Sequence, residues 1–143
     1  MSEPASGPGA VHGAAQSTGK TVLLVEDNPH NRKIFCGMLA HAGFRVIEAE
    51  DGHQALVKAK ALAPDRPDII LMDLSIPGID GWECTRRLKG DAVTRAIPII
   101  ALTAHAMRGD EERALQAGCD GYLSKPISPK KVVEVVKQYL KIA

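Results

Sequence analysis

Apolar runs and polar, turn-rich stretches alternate along this chain in a regular order. Four runs have the length and residue types of strands: TVLLVE (21–26), FRVIEA (44–49), DIILMD (68–73) and IPIIALT (97–103); a weaker one, GYLSK, spans 121–125. The first, third and fourth are apolar throughout, the pattern of strands covered on both faces. Between them the period lengthens to that of helices. Asn28 before Pro29 makes an N-cap with proline at the first helical position, followed by a stripe of Ile34, Phe35, Met38, Leu39 and Ala42 and a stop at Gly43. Ser128 and Pro129 start the last helix in the same way, with a stripe of Val132, Val133, Val136 and Leu140. Asp51 with Gln54 and Asp80 with Glu83 resemble capping boxes, and Asp110, Glu111 and Glu112 put negative charge at the start of a helix that ends at Gly118.

Five such βα units predict an α/β fold, a doubly wound five-stranded parallel sheet with helices on both faces and right-handed crossovers. Ligands of these sheets bind beyond the carboxyl ends of the strands. The polar residues there are Glu26 and Asp27 after the first strand, Asp73 after the third, Thr103 after the fourth and Lys125 after the fifth, so all should share one rim.

Three carboxylates crowded together repel one another and require protons or a cation. An all-oxygen ligand set with positions left for water and phosphate favours Mg²⁺ over Ca²⁺, which makes Glu26, Asp27 and Asp73 candidate metal ligands. A carboxylate can also attack phosphorus to give an acyl phosphate. Asp73 is best placed, because it ends the central strand and the turn residues Pro77 and Gly78 follow. Thr103, Lys125 and the backbone after Asp73 would face the oxygens of a transferred phosphoryl group.

The bulk numbers narrow the class without adding chemistry. At 143 residues and 45% apolar content the chain can bury one core, and 18 basic against 17 acidic residues leave a net charge of +1, too little to draw nucleic acid. Direct DNA binding and membrane insertion are not expected. Three cysteines, Cys36, Cys84 and Cys119, lack CxxC spacing and read as reduced packing residues of a cytoplasmic protein, with Cys119 the more exposed. Residues 1–20, rich in Gly, Ala, Ser and Pro, read as a disordered extension ahead of a domain at 21–143. No apolar run reaches the roughly 18 residues of a membrane span, and no repeat appears.

The set EDN (26–28), LMDLSIPGIDG (71–81), ALTA (101–104) and SKP (124–126) resembles the receiver domain of two-component response regulators, over roughly residues 20–142. AHAMRGDEERALQAGCDGYLSKPIS is similar to single-domain regulators and to the receivers of hybrid histidine kinases. The resemblance implies a CheY-like, flavodoxin-like strand order, 2-1-3-4-5, and roles residue by residue. Asp73 would accept phosphate from a phosphohistidine of a histidine kinase or histidine phosphotransfer protein. Glu26, Asp27, Asp73 and the main-chain carbonyl of Ser75 would hold Mg²⁺, with Mn²⁺ as a substitute. Lys125, the hydroxyl of Thr103 and the main-chain N–H of Ala104 would bind the phosphoryl oxygens, and the peptide bond between Lys125 and Pro126 would be cis. Thr103 and Tyr122 would form the switch, changing the surface of the fourth helix, fifth strand and fifth helix for a downstream protein target. Ser75 and His105 occupy positions that tune phosphoryl lifetime in that family. The protein would be a monomer or weak dimer and not an enzyme beyond its own phosphorylation and dephosphorylation.

Each residue alone has a plainer explanation. Asp73 could cap a helix, Lys125 could be a solvated lysine beside a turn, Thr103 could be a structural threonine, and Tyr122 could be a sheet aromatic with its hydroxyl in water. His105 and His30 lack a second ligand at metal spacing, and His12, His41 and His53 have no case. Lys130, Lys131, Lys137 and Lys141 read as the solvated side of the last helix, a face that the resemblance implies can also touch partners. Haloacid-dehalogenase-type phosphatases share an acyl-phosphate core but carry a second Asp where Ser75 stands. A flavodoxin-like cofactor binder would need a glycine loop where EDNPHN stands. A receiver excised from a hybrid kinase, with residues 1–20 as linker, is weighed against by the starting Met and short tail. With three residues after Leu140, no helix-turn-helix output is expected.

Overall fold

The structure, a computed structural model, describes residues 17–62, 65–76, 78–103, 110–124 and 126–142. Among these, strands and helices alternate: β1 (Thr21–Val25), α1 (Pro29–His41), β2 (Arg45–Ala49), α2 (Gly52–Ala59), β3 (Ile69–Asp73), α3 (Gly81–Gly90), β4 (Ile99–Thr103), α4 (Asp110–Ala117), β5 (Gly121–Ser124) and α5 (Pro129–Leu140). The strands are parallel in the order β2-β1-β3-β4-β5. Order reverses between β1 and β3, so the loops after these two strands diverge to opposite faces and leave a crevice at their carboxyl ends.

Side-chain alternation along the strands divides the core in two. Leu23, Val25, Ile70, Met72 and Ala101 face Ala55, Cys84, Leu88 and Ala114 of α2, α3 and α4. Val22, Leu24, Ile69, Leu71 and Leu102 face Phe35, Leu39, Val132 and Val136 of α1 and α5. β1, β3 and β4 are buried along their whole length, as their unbroken apolar runs require. At the sheet edge β2 buries only Ala49 fully.

The helix starts are set locally. Asn28, Asp51, Asp80 and Ser128 each accept from the N–H three residues on, at 3.0, 2.8, 2.8 and 3.1 Å. The capping boxes form only in this forward half. Gln54 Oε1 accepts from Glu50 N at 2.9 Å, one residue before the cap. Glu83 is drawn instead to Arg87 and Arg86, which hold its carboxyl below the usual carboxylate range. Gly43 and Gly118 follow α1 and α4 with φ of 97° and 107°, in the left-handed region that ends helices.

Two expectations need correction. Ile34 and Met38 lie on the outer side of α1, 42% and 37% exposed. Each precedes a buried residue, Phe35 or Leu39, and one residue turns a helix by about 100°, so the inward stripe is narrower than the apolar pattern implied. Cys119 is buried, because the turn at Gly118 directs it under α3, with its thiol 3.8 Å from Thr85 Oγ1. The half-exposed cysteine is Cys36. Residues 17–20, counted with the extension in the sequence, are tied to the sheet: Thr18 N and Oγ1 both donate to Gly43 O, and Arg45 N donates to Lys20 O. No helix among the described residues is long and apolar enough to cross a membrane.

Candidate functional site

Glu26 follows β1 directly, and its N–H still bonds Ala49 O of β2 at 3.0 Å, so the residue is held as an extension of the strand. Its side chain is 1% exposed, and Oε2 accepts from Asn28 N at 3.1 Å. Asp27, the next residue, is exposed. Asp73 closes β3 opposite Leu102 of β4, is 3% exposed, and its Oδ1 accepts from Ser75 N at 2.9 Å. Ligand oxygens of Glu26, Asp27 and Asp73 all lie within 4.8 Å of one another.

At that separation two unit charges repel by roughly 3 kcal/mol in a medium of effective dielectric about 20. Three carboxylates, two of them buried, therefore form a site that gains by admitting a cation. The donors are all oxygen, which suits a hard divalent ion, and exposed Asp27 leaves one side open to water. Mg²⁺ fits this donor set.

The loop after Asp73 is shaped by close packing. Leu74 N bonds Leu102 O at 2.9 Å, carrying the β3–β4 pairing one residue past the acid. A Cβ on Gly81, the first residue of α3, would lie 2.6 Å from Leu74 Cα and 2.8 Å from Asp73 O. Gly81 thus does more than end the segment GID (78–80). It lets the N-terminus of α3 press against the backbone that presents Asp73, and Gly52 at the start of α2 likewise admits the carbonyl of Ile79.

Of the other expected residues, Thr103 is buried at the end of β4, opposite Ser124 of β5 and next to Leu102, the partner of Asp73. Its place on the same rim is set by register. Tyr122 is half-buried and packs against the core on the α2–α4 face. Ala104, His105, Lys125 and the peptide bond between Lys125 and Pro126 lie outside the described residues.

Two cations near this rim escaped sequence reading. Arg32 of α1, 15% exposed, donates from Nη1 to Glu26 O at 2.9 Å and to Asp27 O at 3.4 Å, and from Nε to Glu48 Oε1 at 3.0 Å. Its only sequence signal was a basic residue one helical turn beyond the Asn28 cap, which also describes an ordinary solvated arginine. Arg113 of α4 lies over the ring of Trp82 in α3, 4.5 Å from the centroid, and links these helices across the face that carries Tyr122.

Comparison with known proteins agrees with this geometry. The response regulator receiver domain model matches residues 22–137. The polar-differentiation response regulator DivK of Brucella anthropi is 46% identical over 121 residues, 85% of this chain and 96% of the relative. The receiver domain of the sensor histidine kinase PA1611 from Pseudomonas aeruginosa PAO1 superposes with a TM-score of 0.78 at 40% identity over 87% of this chain and 99% of that one, and it has a magnesium ion coordinated in its active-site cleft. The signal receiver domain of a histidine kinase from Syntrophus aciditrophicus gives 0.77 at 30% identity, over 85% and 90% of the two chains.

Proposed function

Because the chain belongs to the response regulator receiver family of two-component systems, we propose that it is a phosphoryl-accepting switch in which Asp73 takes a phosphoryl group from a phosphohistidine. The observation that carries this reading is the convergence of Glu26, Asp27 and Asp73 within 4.8 Å at the ends of two adjacent strands. Residues 21–143 are the working domain, and the match over 96% of DivK supports that extent.

In the transfer, a carboxylate oxygen of Asp73 attacks phosphorus, an O–P bond forms, the P–N bond of the donor breaks, and the imidazole leaves and is protonated. Glu26, Asp27, Asp73 and the main-chain carbonyl of Ser75 would hold Mg²⁺, with Mn²⁺ as a substitute. The ion supplies positive charge against the phosphoryl oxygens and relieves the repulsion among the acids. The Ser75 N–H, already on Oδ1, fixes the carboxylate plane of Asp73. Lys125 and the N–H of Ala104 take the remaining charge on the phosphoryl group. Burial of Glu26 and Asp73 lowers the local dielectric and strengthens each of these interactions.

The signal leaves through Thr103 and Tyr122. A phosphoryl group on Asp73 attracts the Thr103 hydroxyl, and the space it vacates admits more of the half-buried Tyr122 ring, shifting the population of the α4–β5–α5 surface toward a partner-binding form. The partners are a histidine kinase or phosphotransfer protein upstream and a protein target downstream. Incubation with Mg²⁺ and acetyl phosphate tests the chemistry: a mass gain of about 80 Da, sensitive to hydroxylamine, should map to Asp73 and vanish in Asp73→Asn. An adduct elsewhere, or none with metal bound, would refute it.

A further inference from the structure

We infer, on the footing of that metal site, that Arg32 is a positioning residue for it, acting through the backbone of the loop after β1. Its Nη1 donates to the main-chain carbonyls of both residues that carry the acids, Glu26 O at 2.9 Å and Asp27 O at 3.4 Å. A trans peptide is planar, with its C=O and N–H pointing opposite ways. Drawing the Asp27 carbonyl toward Arg32 therefore aims the Asn28 N–H away from it. That N–H donates to Glu26 Oε2 at 3.1 Å.

One arginine thus sets the plane of the 27–28 peptide, and the peptide sets the carboxylate of Glu26. Two further bonds fix Arg32 itself. Its backbone N–H donates to Asn28 O at 2.9 Å in the first turn of α1, and its Nε pairs with Glu48 at the end of β2. The guanidinium is a planar fork and spans the loop carbonyls and Glu48 at once, which a lysine ammonium does not. Because Arg32 is mostly buried against these partners, with a side-chain exposure of 15%, water does not readily replace it.

Positioning and simple charge give opposite signs here. A cation close to a metal site repels the metal, so on Coulomb grounds alone Arg32→Gln should tighten binding of a divalent ion and Arg32→Lys should leave it unchanged. If Arg32 orients the ligands, both variants weaken it, since loss of a partner that orients a ligand costs about 10–100-fold in metal affinity. The experiment is Mn²⁺ titration of the full chain by electron paramagnetic resonance, with amide hydrogen exchange of the metal-free protein. The expected result is a rise of about tenfold or more in the Mn²⁺ dissociation constant for Arg32→Gln, only partial recovery in Arg32→Lys, and faster exchange at Asn28 while β3 amides stay protected. Should Arg32→Gln not fold, Arg32→Lys retains the charge and decides the matter alone. If the unaltered chain binds Mn²⁺ and the variants bind as well or better, the positioning role is overturned. If the unaltered chain binds none, the metal site falls first and the positioning role with it.

Discussion

The same substitution, glycine to alanine, should have opposite effects at two helical positions of this protein. In α1, Gly37 is exposed and a Cβ there meets nothing within 4 Å. Gly37→Ala removes backbone freedom from the unfolded chain and should stabilise by about 0.5–1 kcal/mol. At Gly81 the added carbon would come within 2.6 Å of Leu74 Cα and 2.8 Å of Asp73 O. Carbon atoms pack best at about 3.5–4.0 Å, so the overlap is close to 1 Å, and both obstacles are backbone. Overpacking of this kind costs about 1–3 kcal/mol, and the helix propensity of alanine offsets less than about 1 kcal/mol of it. Gly81→Ala should therefore destabilise by about 2 kcal/mol, leaving about 3 kcal/mol between the two variants. Urea unfolding followed by far-UV circular dichroism reads both, as midpoints moving in opposite directions at constant slope. The displaced backbone is the one that presents Asp73, so Mn²⁺ binding should also weaken in folded Gly81→Ala and stay unchanged in Gly37→Ala. A Gly81→Ala protein as stable as its parent would refute the packing argument.

Other consequences follow from the same contacts. Excess Mg²⁺ should raise the melting temperature by mass action, and Asp73→Asn, which removes one of three mutually repelling acids, should melt higher in chelator and lose most of the Mg²⁺-dependent rise; equal rises in both proteins would count against the site. Desolvation by burial pushes the thiols of Cys36 and Cys84 up from 9.0 to about 12. At pH 8 each then carries about a thousandfold less thiolate than an ordinary cysteine, and iodoacetamide should label buried Cys84 only after unfolding and half-exposed Cys36 slowly before it. Both raised values favour the folded state below pH 9, so their contribution should be lost as pH climbs through the window from about 9 to 12 in alkaline melts. Lys89→Met should cost about 2–3 kcal/mol, because Nζ, on a side chain 19% exposed, donates to Arg95 O, Ile97 O and Asp120 Oδ2 at 3.2, 2.9 and 2.8 Å. Lys60→Met, which breaks only the pair with Asp91 from a side chain 52% exposed, should cost under about 1 kcal/mol; similar losses for the two lysines would contradict this ranking.

The sequence by itself determined whatever depends on neighbours along the chain. Unbroken apolar runs marked β1, β3 and β4, because a strand buried on both faces tolerates no polar position. The caps Asn28, Asp51, Asp80 and Ser128 were legible, because each bonds an N–H only three residues away. From alternation alone it followed that Glu26, Asp27, Asp73 and Thr103 end up on one rim, since parallel strands place all their carboxyl ends on the same side. Tertiary structure decided what depends on distance across the fold. It chose which flank of α1 faces inward, leaving Ile34 and Met38 outside, and it buried Cys119 through a turn whose direction only packing fixes. It brought Arg32 to the carbonyls of Glu26 and Asp27, and it made Gly81 a point of backbone contact instead of a mere turn residue. A residue's own type shows what bonds it can make; only the approach of a second segment decides which of them form.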